Sequence, residues 1–112
     1  MQLFDYERID VKMLEIEKNL EETELTINLV GRLDTTTAPN LEGELRKSVN
    51  NVDKLVFDMS KLEYISSAGL RVLLSAQKVM NKQGEMVIRS ANETVMEVFE
   101  VTGFVDVLNI EE

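Results

Sequence analysis

Ser66 and Ser67 stand immediately before Ala68, Gly69 and Leu70, where an extended pattern gives way to a helical one. A hydroxyl at a helix start lies among unpaired backbone N–H groups and at the positive end of the helix dipole, so a phosphate carried there is locally tolerated. The chain has no histidine and no cysteine. Without imidazole or thiol, a serine that can be modified and reset is the best chemistry on offer. Upstream, the apolar run Leu55, Val56 and Phe57 ends in Asp58, Met59 and Ser60 and crosses a short loop to the two serines. A second carboxylate, Asp34, follows Gly31, Arg32 and Leu33 and leads into Thr35, Thr36 and Thr37.

Each of these residues also has an ordinary structural role open to it. Serine is a preferred helix N-cap, worth about 1 kcal/mol, and Ser67 is the expected cap with Ser66 as the alternative. A cap hydroxyl that is exposed is still open to modification. Asp34 or Thr37 can cap the first helix, and Asp58 can serve as a turn residue bonded to nearby backbone. Gly69 can simply let a helix approach a strand closely. Met59, Met80, Met86 and Met96 read as core filler. Glu15, Glu17, Glu21, Glu22 and Glu24 read as a solvated face. Arg71, just inside the second helix, reads as exposed and available to a partner.

The elements that position these residues follow from periodicity. Residues 1–12 show no clean period and read as an edge strand or an ordered extension. Leu14, Ile16 and Leu20 mark a strand, and Glu21, Glu22 and Thr23 a polar turn. Leu25, Ile27, Leu29, Gly31 and Leu33 alternate with polar positions, a strand with one buried face. Ala38, Leu41, Leu45 and Val49 recur at helical spacing, with Pro39 in the first turn, so a helix runs to about Asn50. Lys54–Met59 reads as a central strand covered on both faces. A second helix begins near Ser67, carries Leu70, Leu73, Leu74 and Met80 on one stripe, and ends near Gly84. Glu85–Arg89 is a short strand. Ser90 and Glu93 match a capping box for a third helix with Val95, Met96 and Phe99 on its apolar face and Gly103 at its end. Phe104–Ile110 reads as a last strand or strand-like tail. The order β-β-α-β-α-β-α-(β) predicts an α/β domain over residues 1–112, a small mixed sheet of about four to five strands covered by about three to four helices.

Composition excludes several functions. A formal charge of −9 works against phosphate-backbone binding, since nucleic-acid affinity rests on clustered Lys and Arg. It favours a protein partner, whose docking surface is then expected to be basic. No apolar run approaches the ~20 residues needed to cross a bilayer, so no membrane association is expected. The acidic start lacks the pattern of a secretory signal, and the missing cysteines fit a cytoplasmic protein.

Four motifs in order resemble the STAS domain family, and in particular the bacterial anti-sigma factor antagonists: Gly31-Arg-Leu-Asp34, Asp58-Met-Ser60, Ser66-Ser-Ala-Gly-Leu70 and Thr102-Gly103. The resemblance covers about 100 residues and implies the same order of elements. It implies phosphorylation at Ser67, with Ser66 as second choice, and a partner-binding switch surface of Asp34, Thr35, Asp58, Ser60, Ser66, Ser67, Gly69 and Arg71. It implies a non-enzymatic transcription regulator without cofactor or metal. Its partners would be an anti-sigma factor of the serine-kinase (GHKL ATPase) type and a PPM-type serine phosphatase. Phosphorylatable members usually carry aspartate where Ser66 stands, though many STAS proteins carry other residues, which leaves modification of Ser67, of Ser66 or of neither open.

Two other readings compete. A STAS-fold scaffold that binds partners without being phosphorylated fits the same motifs. A receiver domain phosphorylated on Asp58 needs a divalent cation held by an acidic pair and a late lysine, and no lysine follows Lys82. A hydrolase finds no nucleophile elbow, histidine base or glycine-rich phosphate loop.

Overall fold

Leu25, Ile27, Leu29 and Leu33 point into one core while Thr26, Asn28, Val30 and Arg32 point away from it, and this alternation sets the face of the whole sheet. The computed structural model describes residues 4–11 and 13–111. It contains β1 (Phe4–Val11), β2 (Leu14–Glu21), β3 (Glu24–Leu33), α1 (Ala38–Ser48), β4 (Lys54–Ile65), α2 (Ser67–Gln83), β5 (Glu85–Arg89), α3 (Glu93–Thr102) and β6 (Ile110–Glu111). The six strands lie in sequence order in one sheet. β1, β2 and β3 pair antiparallel, and β3, β4, β5 and β6 pair parallel. Leu41 and Leu45 of α1, Leu70 and Leu73 of α2, and Val95 and Phe99 of α3 join the inward strand residues in one core. The expected mixed α/β fold is present, with one strand more than expected.

Several elements depart from the periodicity reading. Described residues of the opening segment form the edge strand β1. β4 does not end at Met59 but runs on to Ile65. Register shifts against β3 between Asn28 and Val30, and between Gly31 and Arg32, break its two-residue period and return Leu62 and Ile65 to the core. Gly31 sits at φ +114, where a side chain would run into the Met13 carbonyl that the Arg32 N–H binds at 2.8 Å. Ser90 is not a cap: it lies at φ +61, and Asn92 caps α3 instead by accepting from the Val95 N–H at 2.9 Å. Asn92 also donates to the Leu62 carbonyl at 2.7 Å, which ties α3 to β4. The last segment is a short 3₁₀ turn, Phe104–Asp106, before the two-residue β6.

The acidic face is only partly solvated. Arg8 pairs with Glu15 at 2.9 Å, and Glu17 accepts from the Tyr6 hydroxyl at 3.0 Å. Glu21, Glu22 and Glu24 are exposed. Lys18, facing the other way, meets Glu7 at 2.8 Å, Glu44 at 2.9 Å and the Ser48 hydroxyl at 3.0 Å, and so clamps α1 to β2. The bond from Lys18 holds the Glu44 carboxyl below the usual carboxylate range. Burial works against the Lys18 charge, but the bonds to Glu7 and Glu44 outweigh it and hold the ammonium above its ordinary value. A depressed carboxyl stabilises the fold above its unfolded pKa and loses that contribution as pH falls through the folded one. A raised ammonium contributes until pH rises through its folded pKa. Lys18→Met should therefore cost about 1–3 kcal/mol at neutral pH, less than a fully buried pair because both side chains keep some solvent. Urea midpoints check it, and the gap to the wild type should narrow as acid protonates Glu44.

Candidate functional site

At the C-terminal ends of β3 and β4 the chain leaves two neighbouring parallel strands, and the motif residues converge there. Leu33 and Ile65 are register partners, and the Ser66 N–H donates to the Leu33 carbonyl at 2.9 Å. Asp34 follows Leu33 on one path, and Ser66 and then Ser67 follow Ile65 on the other, so both strand ends deliver motif residues to the same edge of the sheet. Asp34 Oδ1 accepts from the N–H groups of Thr36 (3.0 Å) and Thr37 (3.2 Å) and closes the turn into α1. The Thr37 hydroxyl is fully buried; it donates to the Arg32 carbonyl at 2.8 Å and accepts from the Asp34 N–H at 2.9 Å. Thr37 thus holds the N-cap position without making a side-chain cap bond. Thr35 is exposed beside it.

The helix cap falls on Ser66, the alternative, and not on Ser67. Ser66 is the N-cap of α2, with extended backbone (φ −102, ψ 177) and no side-chain cap bond. Its hydroxyl is buried without a hydrogen-bond partner. Ser67 is the first helical residue and is exposed. The first intrahelical donor is the Leu70 N–H, to the Ser66 carbonyl at 2.9 Å, which leaves the Ser67, Ala68 and Gly69 N–H groups at the open helix end. Gly69 is buried against the strand ends: a Cβ there would meet Leu33 Cγ at 2.8 Å and Ile65 Cγ1 at 2.9 Å. Gly69→Ala gains up to about 1 kcal/mol of helix propensity but must push α2 off the sheet, at about 1–3 kcal/mol. With the full propensity gain the expected net effect is a loss of up to about 2 kcal/mol, read from a denaturant midpoint.

Arg71, one turn after Ser67, is exposed, and among the described residues no carboxylate pairs with it. Arg32 and Tyr64 complete the rim and were not singled out by sequence reasoning. The Arg32 guanidinium lies 4.4 Å from the centre of the Tyr64 ring and 3.7 Å from Asp34 Oδ2. Their positions within Gly31-Arg-Leu-Asp34 and Leu62-Glu-Tyr-Ile65 held the signal, because parallel pairing of the two motifs sets Arg32 against Tyr64.

Asp58 and Ser60 stand apart from this group. Asp58 pairs in register with Asn28 and Arg89, and its Oδ1 accepts from the Ser60 N–H at 3.0 Å. From Asn28 to Leu33 the neighbouring strand covers five residues, about 16 Å, so a charge on Ser67 would not lie beside Asp58. The two residues border a separate hollow of ≈ 130 Å³ with Glu17, Asn28 and Lys61. One acid across that hollow is not the acidic pair that a receiver site needs. Among the described residues, no three acids are grouped so as to hold a metal ion.

Comparison with known proteins settles the lineage of this arrangement. The STAS domain model matches residues 13–112. The chain belongs to the STAS domain family. The matched segment runs from β2 to the end of the sheet. A Bordetella bronchiseptica protein, BtrV, whose name places it with the anti-sigma factor antagonists, is 40% identical over 84 residues, 73% of this chain and 72% of its own. The anti-sigma-B factor antagonist of Bacillus subtilis is 24% identical over 98 residues, 87% of this chain and 90% of its own. Among solved structures, an anti-sigma factor antagonist from Mycobacterium paratuberculosis superposes with a TM-score of 0.73 at 19% identity, over 96% of this STAS domain and 85% of that chain. The unphosphorylated form of the anti-sigma factor antagonist SpoIIAA gives 0.66 at 14% identity, over 96% and 88%. At these identities the solved structures speak for the fold. No helix among the described residues is long and apolar enough to cross a membrane.

Proposed function

We propose that the chain, residues 1–112 acting as one unit, is an anti-sigma factor antagonist that works by binding and not by catalysis. Unmodified, it binds an anti-sigma factor that is also a serine kinase of the GHKL ATPase type, and a sigma factor is released in the cytoplasm. Phosphate on Ser67 ends the binding, and a PPM-type phosphatase restores it. The names of the related proteins support the antagonist reading. The observation that carries the switch is the contrast between the two serines: the Ser67 hydroxyl is exposed at the open end of α2, whereas the Ser66 hydroxyl is buried. Asp34, Thr35, Ser67 and Arg71 form the contact patch on this reading, with Gly69 setting the height of α2 and Asp58 and Ser60 too distant for direct charge contact.

The experiment is incubation with a cognate GHKL-type kinase and ATP, followed by intact mass and peptide mapping. One phosphate on Ser67 is expected. Phosphate on Ser66 would contradict the assignment. The absence of phosphate on both, with binding retained, would leave a constitutive STAS scaffold, a reading favoured by the serine at 66 where phosphorylatable members usually carry aspartate.

A further inference from the structure

The α1–α2 face runs against the charge of the rest of the molecule. α2 carries Arg71, Lys78 and Lys82 and no acid, in a chain whose formal charge is −9. Between the two helices lies a furrow made of two hollows of ≈ 520 and ≈ 170 Å³, which share Glu42, Val72 and Ser75. Its wide end opens at Thr35, Ala68 and Arg71, and Ala68 directly follows Ser67 in the chain. Its narrow end is apolar and closes at Val49 and Val79, the latter 41% exposed.

The spacing along the furrow identifies the shape of its occupant. On α2 the residues that line it recur as Ala68, Val72, Ser75 and Val79; on α1 and its C-cap they recur as Ala38, Glu42, Leu45 and Val49. Both series step by four, three and four, as the facing ridges of two packed helices do, and the furrow left above them runs along both, a track that a third helix can follow. The side chains at these steps on α2 are small, so a third helix can approach closely. The rim supplies Arg46, Arg71 and Lys78 against one carboxylate, Glu42, which Arg46 already meets at 3.1 Å.

We propose that this furrow docks an acidic amphipathic helix of a partner protein, its apolar stripe on Val72 and Val79 and its carboxylates on Arg71 and Lys78. The overall charge of −9 predicts a basic partner; the local charge of this face selects an acidic one. Docking here deepens the partner-binding reading and rests on it for the identity of the protein that carries the helix. Ser67 precedes Ala68 of the wide end by one residue, so a phosphate on that serine would lie one turn from Arg71 and compete for its guanidinium.

The test uses a synthetic helix of about four turns with leucine at the seam positions and glutamate between them, and the same peptide with lysine for glutamate. Binding is followed by fluorescence anisotropy and mapped by amide chemical shifts. The acidic peptide should bind at least about tenfold tighter than the basic one and shift residues 38–49 and 68–79, with affinity falling as salt rises. Arg71→Glu and Lys78→Glu should each weaken it about tenfold. Lys82→Glu, the same charge change on the same helix but off the furrow, should leave binding unchanged, and circular dichroism confirms that each variant is folded. Equal binding of both peptides, shifts confined to other surfaces, or a concentration-dependent dimer abolished by Val79→Glu would overturn the proposal, the last by showing that a second copy fills the furrow. Failure here leaves phosphorylation of Ser67 untouched, and an unmodified Ser67 with intact peptide binding removes the switch while keeping the furrow.

Discussion

Phe57→Ala should cost about 3–5 kcal/mol, while Ser67→Ala should stay within about 0.5 kcal/mol of the wild type. Phe57 is fully buried in the first half of β4, between register partners Ile27 on β3 and Ile88 on β5. Removing its ring loses the transfer energy of the side chain and leaves a cavity that two hydrogen-bonded neighbours prevent from collapsing. Ser67, by contrast, is exposed and makes no cap bond, so its hydroxyl takes no stabilising contact with it. Alanine at that helical position is if anything favoured by propensity. Urea titrations of the two variants decide the point: a Phe57→Ala loss below about 1 kcal/mol, or a Ser67→Ala loss above it, would contradict these placements.

The difference from a cap-based expectation shows what the sequence could and could not convey. Alternation in β3 and the helical stripes of α1 and α2 are dictated by burial, which acts on every residue of an element, and they were legible. Single-residue roles at element ends depend on where the chain turns, and they were not. Ser66 or Ser67 can equally begin α2 by residue type; the bond from the Ser66 N–H to Leu33 decides it. Ser90 fits a capping box, but its left-handed backbone withdraws it, and Asn92 takes over because the same amide also reaches Leu62. The extension of β4 was hidden because two register shifts expose Ser60, Lys61, Glu63 and Tyr64, which then read as a loop. The pairing of Arg32 with Tyr64, 32 positions apart, follows only once the parallel register is known.

Phosphorylation of Ser67, or its imitation by Ser67→Asp, should weaken partner binding, by roughly two to three orders of magnitude for the phosphate and less for the aspartate. A phosphate adds about −1.5 to −2 charges at the first position of α2. In the free protein it is tolerated: the helix dipole contributes about 0.3–1 kcal/mol, and Arg71 lies one turn away on the same face. Asp34 opposes it from the neighbouring strand end: a carboxylate would repel a unit charge by roughly 2–3 kcal/mol at a separation of about 6 Å and an effective dielectric of ~20. Arg32, held to Asp34 at 3.7 Å, offsets part of that repulsion. When a partner covers the patch, water no longer screens the phosphate, and an acidic segment in the furrow meets it head on while losing Arg71 to it. A penalty of about 3–4 kcal/mol corresponds to the stated loss of affinity. The fold need not move, because charge and bulk at the strand ends suffice. Ser67→Ala should bind like the unmodified protein and resist modification, which separates loss of the hydroxyl from gain of charge. Titration of the partner with unmodified protein, Ser67→Ala and the phosphoprotein measures the three affinities, and equal values for the first and last would remove Ser67 from the switch.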